Sequence, residues 1–82
     1  MNQGTEDIRC GVYQHYKGER YLVIGVARDD ATEELLVIYS RLYHRDGVPL
    51  SARKLFEFLG DVSDESGNTV KRFRYVGVMD SP

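Results

Sequence analysis

The sequence predicts a mainly β fold, in which short antiparallel strands form a small barrel that one short helix closes. Two stretches carry this prediction, residues 21–27 and 35–43. Both are rich in β-branched and aromatic residues, contain no proline and are apolar on both faces, as strands in the middle of a covered sheet are. The segments that join the strand-like runs are mostly too short for parallel crossovers, which favours antiparallel pairing.

The size and composition are those of one folded domain. The chain has 82 residues, of which 41% are apolar and 29% are charged, with both signs of charge mixed. Such a mixture is typical of folded domains rather than of disordered ones. We predict a single domain over residues 11–78, a flexible N-terminal tail over residues 1–10 and a C-terminal tail over residues 79–82.

The first two strands are predicted at residues 12–16 and 21–27. The turn between them contains Gly18, which can adopt backbone angles that other residues reach only at a cost in free energy. Gly25 lies inside the second strand, where the missing side chain indicates a bulge or a sharp bend.

A third strand is predicted at residues 34–43. A helix is the competing interpretation, because Thr32 could cap it and the acidic residues that follow suit a helix N-terminus. The centre of the stretch, Val37-Ile38-Tyr39, favours a strand, and the consecutive apolar residues leave no polar stripe. We therefore predict a strand.

The next segment is predicted to turn at Asp46-Gly47, a strong hairpin signal. Pro49 then restricts residues 48–50 to a short edge strand. A helix is predicted over residues 52–59, capped by Ser51 and ended by Gly60. Its expected core-facing residues recur at spacings of three and four: Ala52, Leu55, Phe56 and Leu59.

The chain is predicted to end in a polar connection over residues 61–68 and a last strand over residues 70–78. In this strand Arg72 and Arg74 alternate with Phe73 and Tyr75, so one face would be basic and the other aromatic. About five short strands with one short helix near residues 52–59 fit a small SH3-like antiparallel barrel.

Charge and cysteine content restrict the classes of partner and compartment. The net charge is −2, and no basic run has the density of a nucleic-acid-binding arm, so nucleic acid is a disfavoured partner. Cys10 is the only cysteine, which excludes an intrachain disulfide. We expect no membrane partner and a cytoplasmic location, because no apolar stretch resembles a signal peptide or a membrane span.

Three blocks of the chain resemble a known bacterial family, the small domain-of-unknown-function family 1653. The first block has the pattern Gly-x-Tyr-x-His-Tyr-Lys-Gly, and the matching residues are Gly11, Tyr13, His15, Tyr16, Lys17 and Gly18, followed by Tyr21. The second block comprises Thr32, Glu34, Val37, Tyr39, Leu42 and Tyr43, and the closing block is Arg72 and Phe73. The chain has Pro49-Leu50-Ser51-Ala52 where the family usually has Trp-Val-Arg-Pro. The resemblance implies an SH3-like barrel and no particular activity.

Tyrosines among basic strand residues point to a non-catalytic module that binds a protein or another polymer. The predicted binding residues are Tyr13, His15, Tyr16, Lys17, Glu34, Tyr39, Tyr43 and Arg72. The alternative is that these tyrosines are only barrel packing, with His15 bonded to a carboxylate such as Glu34.

Two other functions stay open at this stage. A small enzyme or enzyme accessory subunit could use Glu34 as a general base beside His15, although Glu34 could equally pair with Arg72 or Arg41. A structural unit could form homodimers through edge strands, which we expect at residues 12–16 and 70–78. We predict no catalytic residues, no cofactor and no metal site, because the histidine and cysteine spacings match no zinc pattern and the glycines are scattered.

Overall fold

The structure is a computed structural model that describes residues 8–78, so most of the predicted N-terminal tail and the whole C-terminal tail lie outside the described residues. The described chain forms β1 (Gly11–His15), β2 (Arg20–Arg28), β3 (Leu35–Arg41), β4 (Leu50–Lys54), α1 (Leu55–Phe58), β5 (Asp61–Ser63), β6 (Thr69–Lys71) and β7 (Phe73–Gly77). The mainly β prediction is confirmed. The stretch around Val37 is a strand and not a helix.

The main sheet has five antiparallel strands in the order β4-β3-β2-β1-β7, and β5 pairs with β6 in a separate two-stranded sheet. Because β1 lies between β2 and β7, the predicted edge position of residues 12–16 is wrong. The edges of this sheet are β4 and β7. Within residues 8–78 no ladder joins these two strands, so the sheet is open and the predicted barrel closure is not confirmed.

A bulge interrupts the pairing of β2 with β3 next to Gly25, as the sequence predicts. Val23 is opposite Tyr39 and Gly25 is opposite Ile38, so Ile24 is an extra residue on β2. Side chains alternate across a strand, and the extra residue shifts that alternation by one. Both Val23 and Val26 therefore face the core, while Ile24 is 52% exposed.

Residues 50–54 form a strand, where the sequence predicts a short edge strand followed by the start of a helix. Ser51 pairs with Tyr39 and Arg53 pairs with Val37, so β4 supplies the backbone partners that β3 needs on its outer side. This long-range pairing outweighs the local helical spacing of the apolar residues.

The helix is consequently shorter than predicted, and a different face of it is buried. Leu55 and Phe58 are buried, whereas Phe56 is 68% exposed and Leu59 is 38% exposed. The predicted core positions Phe56 and Leu59 are therefore wrong. Residues 52–54 belong to β4, and the remaining single turn of helix packs Leu55 and Phe58, which are three residues apart, on the core.

The predicted last strand is divided at Arg72. Residues 69–71 pair with β5, which arises inside the segment predicted as a polar connection, through the pair Val62 and Val70. At the break, the Arg72 amide donates to the Gly60 carbonyl, and the Arg72 carbonyl accepts from the Tyr16 amide. Arg72 therefore lies in a bend and not on the basic face of a continuous strand.

The core lies between one face of the main sheet and α1. Its buried residues are Tyr13, Val23, Val37, Tyr39, Leu55, Phe58 and Phe73. The rings of Phe58 and Phe73 stack in parallel, with 4.1 Å between their centroids. Ile8 also packs against this core. Among residues 8–78, no helix is long and apolar enough to cross a membrane.

Candidate functional site

Six ring side chains meet at one end of the core face, and we call them the aromatic cluster. Its members are His15, Tyr16, Tyr21, Tyr39, Tyr43 and Phe73. The sheet register brings these rings together because neighbouring strands place directly opposed residues on the same face. His15 on β1 is opposite Phe73 on β7, and their ring centroids are 5.0 Å apart.

Tyr21 is the centre of the aromatic cluster. Its ring makes edge-to-face contacts with Tyr39, Tyr43 and Phe73, at centroid distances of 5.3, 5.6 and 5.7 Å. The hydroxyls of Tyr21 and Tyr43 share a hydrogen bond of 2.9 Å. Burial, and next this hydrogen bond, raise the pKa of Tyr21 above its usual value. Tyr21 is therefore a neutral phenol that fixes the position of Tyr43.

His15 is held as a neutral imidazole at the edge of the aromatic cluster. Its Nδ1 accepts a hydrogen bond of 3.2 Å from the Lys17 amide, so in the neutral ring the proton is on Nε2. Burial lowers the pKa of His15, and the positive charges of Arg53 and Arg72 lower it further, against an opposing contribution from Glu19. His15 can thus donate one hydrogen bond from Nε2 without carrying a charge.

Two arginines lie next to the aromatic cluster, Arg53 through its side chain and Arg72 through its backbone bond to Tyr16. The Arg53 guanidinium carbon lies 6.0 Å from the centre of the Phe73 ring, and Arg53 Nη1 is 3.6 Å from Glu57 Oε1. Arg53 Nε makes a long hydrogen bond of 3.5 Å to the Tyr39 hydroxyl. Arg72 differs from Arg53, because its Nε is buried and has no hydrogen-bond partner in the described part of the chain.

The predicted binding residues Tyr16 and Lys17 lie at the surface. Tyr16 is 36% exposed, and its ring centroid is 4.6 Å from that of His15. Lys17 Nζ is 5.8 Å from the centre of the Tyr16 ring. A surface cleft runs from these two side chains to the turn between β5 and β6, at residues 63–66. The aromatic cluster therefore opens to solvent through Tyr16.

Tyr13, another predicted binding residue, is directed away from this opening. Its hydroxyl donates to the Arg9 carbonyl at 2.9 Å and accepts from the Arg9 amide at 3.2 Å. Its ring packs edge-to-face on Phe58 and Tyr75. Burial raises the pKa of Tyr13 above its usual value. The contacts of Tyr13 are those of a core residue.

Glu34 is not brought to the aromatic cluster. One carboxylate oxygen lies 3.4 Å from Lys54 Nζ, and the other accepts a hydrogen bond from the Thr32 hydroxyl at 3.4 Å. In the described structure Glu34 forms no ion pair with His15, Arg41 or Arg72. The pairings considered from the sequence are therefore absent, and with them the acid–base geometry of the enzyme hypothesis.

Tyr21, Arg53 and Phe73 belong to the site but not to the set of residues predicted from the sequence. The sequence gives a reason to consider Phe73, because it lies on the aromatic face of the predicted last strand. It also gives a reason to consider Tyr21, because this residue follows the first motif block. For Arg53 the sequence offers only the comparison with the arginine of the family's Trp-Val-Arg-Pro stretch, from a shifted position, and its place beside the rings depends on the pairing of β4 with Val37. Within residues 8–78, no three His, Cys, Asp or Glu side chains are grouped to hold a metal ion.

Comparisons with known proteins give two matches. The model of a family described as "Protein of unknown function (DUF1653)" matches residues 11–75. The chain is also 45% identical to a protein of that family from Bordetella bronchiseptica whose crystal structure is known. The match covers 95% of this chain and 99% of that one, with a TM-score of 0.86. A comparison with curated proteins finds no match.

Proposed function

Because the chain belongs to the DUF1653 family of proteins of unknown function, we propose that it is a non-catalytic binding module. Its ligand is a segment of a protein or of another polymer, held at the aromatic cluster. The observation that carries this proposal is the convergence of six rings, of which Tyr16 is exposed beside a surface cleft. Aromatic rings with polar tips give large contact areas at a small loss of conformational entropy, which is why binding surfaces are rich in them.

The rigidity of the aromatic cluster supports a binding role. Tyr21 and His15 lie on the interior strands β2 and β1, and Phe73 lies on the edge strand β7, which pairs with β1, so backbone pairing fixes all three residues. The hydrogen bond between Tyr21 and Tyr43 holds a ring from the loop after β3 in place. A surface that is ordered before binding loses less entropy when the ligand arrives.

A protein segment suits this site better than nucleic acid does. The sequence pI is about 5.6, so the whole chain repels a polyanion at neutral pH. One of the two arginines at the aromatic cluster already has Glu57 as a partner. Peptides offer both aromatic side chains and backbone groups for the rings and hydroxyls of the cluster.

Selection of peptides from a random display library on the immobilised protein tests this proposal. We expect enriched peptides whose affinity falls at least about tenfold in Tyr16→Ala, since a stacked side chain at a binding site contributes about 1–3 kcal/mol. The matched control is Val48→Ala, because Val48 is 76% exposed and lies outside the aromatic cluster. Failure to enrich any peptide, or equal binding by both variants, would overturn the proposal.

Self-association is a second candidate function, which the two unpaired edges of the sheet favour. The edge strand β4 carries Leu50, which is 49% exposed, and Ile24 is exposed on β2. An exposed edge with apolar side chains is a ready surface for pairing with a second copy. Sedimentation should then show dimers that Leu50→Lys abolishes, and monomers at all concentrations would exclude this candidate.

We also propose two assignments that go beyond the open sheet itself. The SH3-like architecture is supported by the small antiparallel sheet, by the bulge at Ile24 and by the short helix. Fast amide hydrogen exchange along both β4 and β7 would argue against closure in solution. A cytoplasmic location is supported by the exposed free thiol of Cys10, which suits a reducing compartment.

A further inference from the structure

We propose that a second surface cleft binds a phosphate monoester that carries an aromatic ring. The cleft lies between β1, β7 and the end of α1, and its volume is about 370 Å³. Small-molecule sites commonly have volumes of about 300–1,000 Å³. The cleft shares only Phe73 with the aromatic cluster, so this inference goes beyond the proposed function and does not depend on it.

The charged residues that line this cleft are all positive: Arg9, Lys71 and Arg74. Among residues 8–78, no carboxylate forms an ion pair with any of the three. Lys71 is opposite Asp61 in the pairing of β5 with β6, yet these two side chains form no ion pair either. Positive charge without a carboxylate partner on a concave surface attracts anions.

Arg9 is held at the cleft by its backbone and by its side chain. The Tyr13 hydroxyl donates to the Arg9 carbonyl at 2.9 Å and accepts from the Arg9 amide at 3.2 Å. The Arg9 guanidinium carbon lies 4.8 Å from the centre of the Tyr75 ring. Neither contact neutralises the guanidinium, whose planar set of N–H donors suits bidentate binding of phosphate oxygens. We therefore assign the direct contact with the phosphate to Arg9.

Arg74 is oriented by a neutral partner. Its Nη2 donates to Gln14 Oε1 at 2.7 Å, and a glutamine side chain leaves the charge of the guanidinium uncompensated. Lys71 and Arg74 are both exposed and lie on either side of Phe73 in the sequence. Their role at the cleft is to raise the positive potential that Arg9 alone would give.

The local charge of the cleft favours a phosphate monoester over a carboxylate. A phosphate monoester carries roughly two negative charges at pH 7, which matches three cations better than the single charge of a carboxylate does. The net charge of the chain is −2. At physiological ionic strength charges are screened over about 8 Å, so a small anion in the cleft interacts mainly with the cations that line it. A long polyanion would also meet the acidic remainder of the surface.

The rest of the cleft wall is made of rings and aliphatic carbon. The Tyr13 ring packs edge-to-face on Phe58 and Tyr75, with centroid distances of 5.2 and 5.3 Å. Leu59, which is 38% exposed, also lines the cleft. Such a wall offers apolar contact and few hydrogen-bonding groups, so it suits an aromatic ring better than a sugar as the body of the ligand.

Titration with small probes, followed by NMR of the backbone amides, tests the inference. We expect phenyl phosphate to shift the amide resonances of Arg9 and Tyr75 saturably. Methyl phosphate keeps the charge without the ring, and we expect it to bind at least about fivefold more weakly. Benzyl alcohol keeps the ring without the charge and should give no saturable shift at these residues.

Three results would overturn the inference. The first is the absence of saturable shifts at Arg9 and Tyr75 with phenyl phosphate, and the second is an equal response to benzyl alcohol. The third is binding of methyl phosphate or of benzoate as tightly as phenyl phosphate, because the ring or the second charge would then contribute nothing.

Two arginine variants localise the binding. We expect Arg9→Gln to lower the affinity for phenyl phosphate about tenfold, because charge-assisted hydrogen bonds to the phosphate are lost. The variant keeps both bonds to Tyr13, since these involve the backbone of Arg9. Arg45→Gln is the matched control, because it removes the same charge from an exposed residue that does not line the cleft. Equal losses in the two variants would contradict the assignment to the cleft. The comparison of probes on the unaltered protein decides the question even if Arg9→Gln does not fold.

Aromatic phosphate monoesters occur as free small molecules and as phosphorylated tyrosine side chains, and a further probe distinguishes these sources. The probe is a short phosphotyrosine peptide with blocked ends, compared with phenyl phosphate on the unaltered protein. Tighter binding of the peptide supports the cleft as a site for a phosphorylated protein segment, and weaker binding supports it as a site for a small molecule. In both cases Arg9→Gln should lower the affinity, and an unchanged affinity for both probes in this variant would overturn the inference.

Discussion

The rings of Phe58 and Phe73 are stacked with an interplanar angle of 6°, and this contact joins the short helix to the last strand of the sheet. Phe58 is 1% exposed and also contacts Tyr13 and Tyr39. The helix has only four residues, too few to be stable alone. The position of the helix therefore depends more on the packing of the Phe58 ring than on the hydrogen bonds of the helix itself.

We expect Phe58→Ala to lower the free energy of unfolding by about 3–5 kcal/mol, because it removes a buried ring and leaves a cavity. Phe56→Ala is the matched control two residues away on the same helix. Phe56 is 68% exposed, so we expect a change within about 0.5 kcal/mol. Urea denaturation measures both values, and similar losses in the two variants would contradict the buried position of Phe58.

The hydrogen bond between the hydroxyls of Tyr21 and Tyr43 predicts a measurable coupling. Tyr21→Phe, Tyr43→Phe and the double variant form a cycle, from which we expect an interaction free energy of about 0.5–1.5 kcal/mol. Tyr16→Phe is the control, because no hydrogen bond is formed by the Tyr16 hydroxyl within residues 8–78, and it should be nearly neutral. Additive losses in the cycle would show that the two hydroxyls do not interact in solution.

Gly11 occupies a site that tolerates no side chain. Its φ is +141°, and a Cβ would lie 2.9 Å from the Gly77 carbonyl oxygen, which is fixed backbone. We expect Gly11→Ala to destabilise the fold by about 2 kcal/mol or more, from strain and from displacement of β7.

Gly25→Ala is the matched control for Gly11→Ala. A Cβ at Gly25 would meet no atom within 4 Å, and its φ is not in the left-handed region. We therefore expect this substitution to leave the thermal midpoint almost unchanged, or to raise it slightly. A loss at Gly25 as large as that at Gly11 would argue against the described close approach of β1 and β7.

The lowered pKa of His15 predicts a pH dependence of stability. In the unfolded chain the imidazole titrates near 6.5, and in the fold it titrates below that value. Between the two values the unfolded chain binds more protons, so the free energy of unfolding falls as the pH drops through this window. The His15 contribution is fully present above 6.5 and is lost once the pH falls below the folded pKa.

Urea denaturation from about pH 5 to pH 8 measures this dependence. His15→Gln should remove part of the loss at low pH. The variant keeps His44, whose side chain is 94% exposed, so the difference between the two proteins isolates His15. Identical pH profiles would contradict the lowered pKa.

The sequence predicts the central strands and the bulge next to Gly25, because these depend on local composition and on one missing side chain. It predicts a short edge strand at residues 48–50 but not the continuation of β4 to Lys54, since Ser51 and Arg53 become strand residues only by pairing with Tyr39 and Val37 on β3. The same long-range pairing brings Arg53 to the aromatic cluster.

The ion pair between Glu34 and Lys54 is also not predictable from the sequence. Lys54 reaches this carboxylate from the end of β4, where the sequence predicts a helix. Tyr16 and His15, by contrast, adjoin the turn that Gly18 predicts, and their proximity follows from being consecutive residues. Local contacts were predictable from the sequence, and contacts made across the sheet were not.

Because Ile24 is an extra residue on β2, the strand can lose one residue at this point without a change in its pairing with β3. Removing Ile24 would let both halves of the strand keep their partners and their faces, because this residue has no counterpart on β3. Removing a residue elsewhere in the middle of the strand would move the side chains of one half to the opposite face of the sheet. Variation in chain length within this strand should therefore be concentrated at Ile24, and an alignment gap placed elsewhere in β2 would misassign every inward residue beyond it.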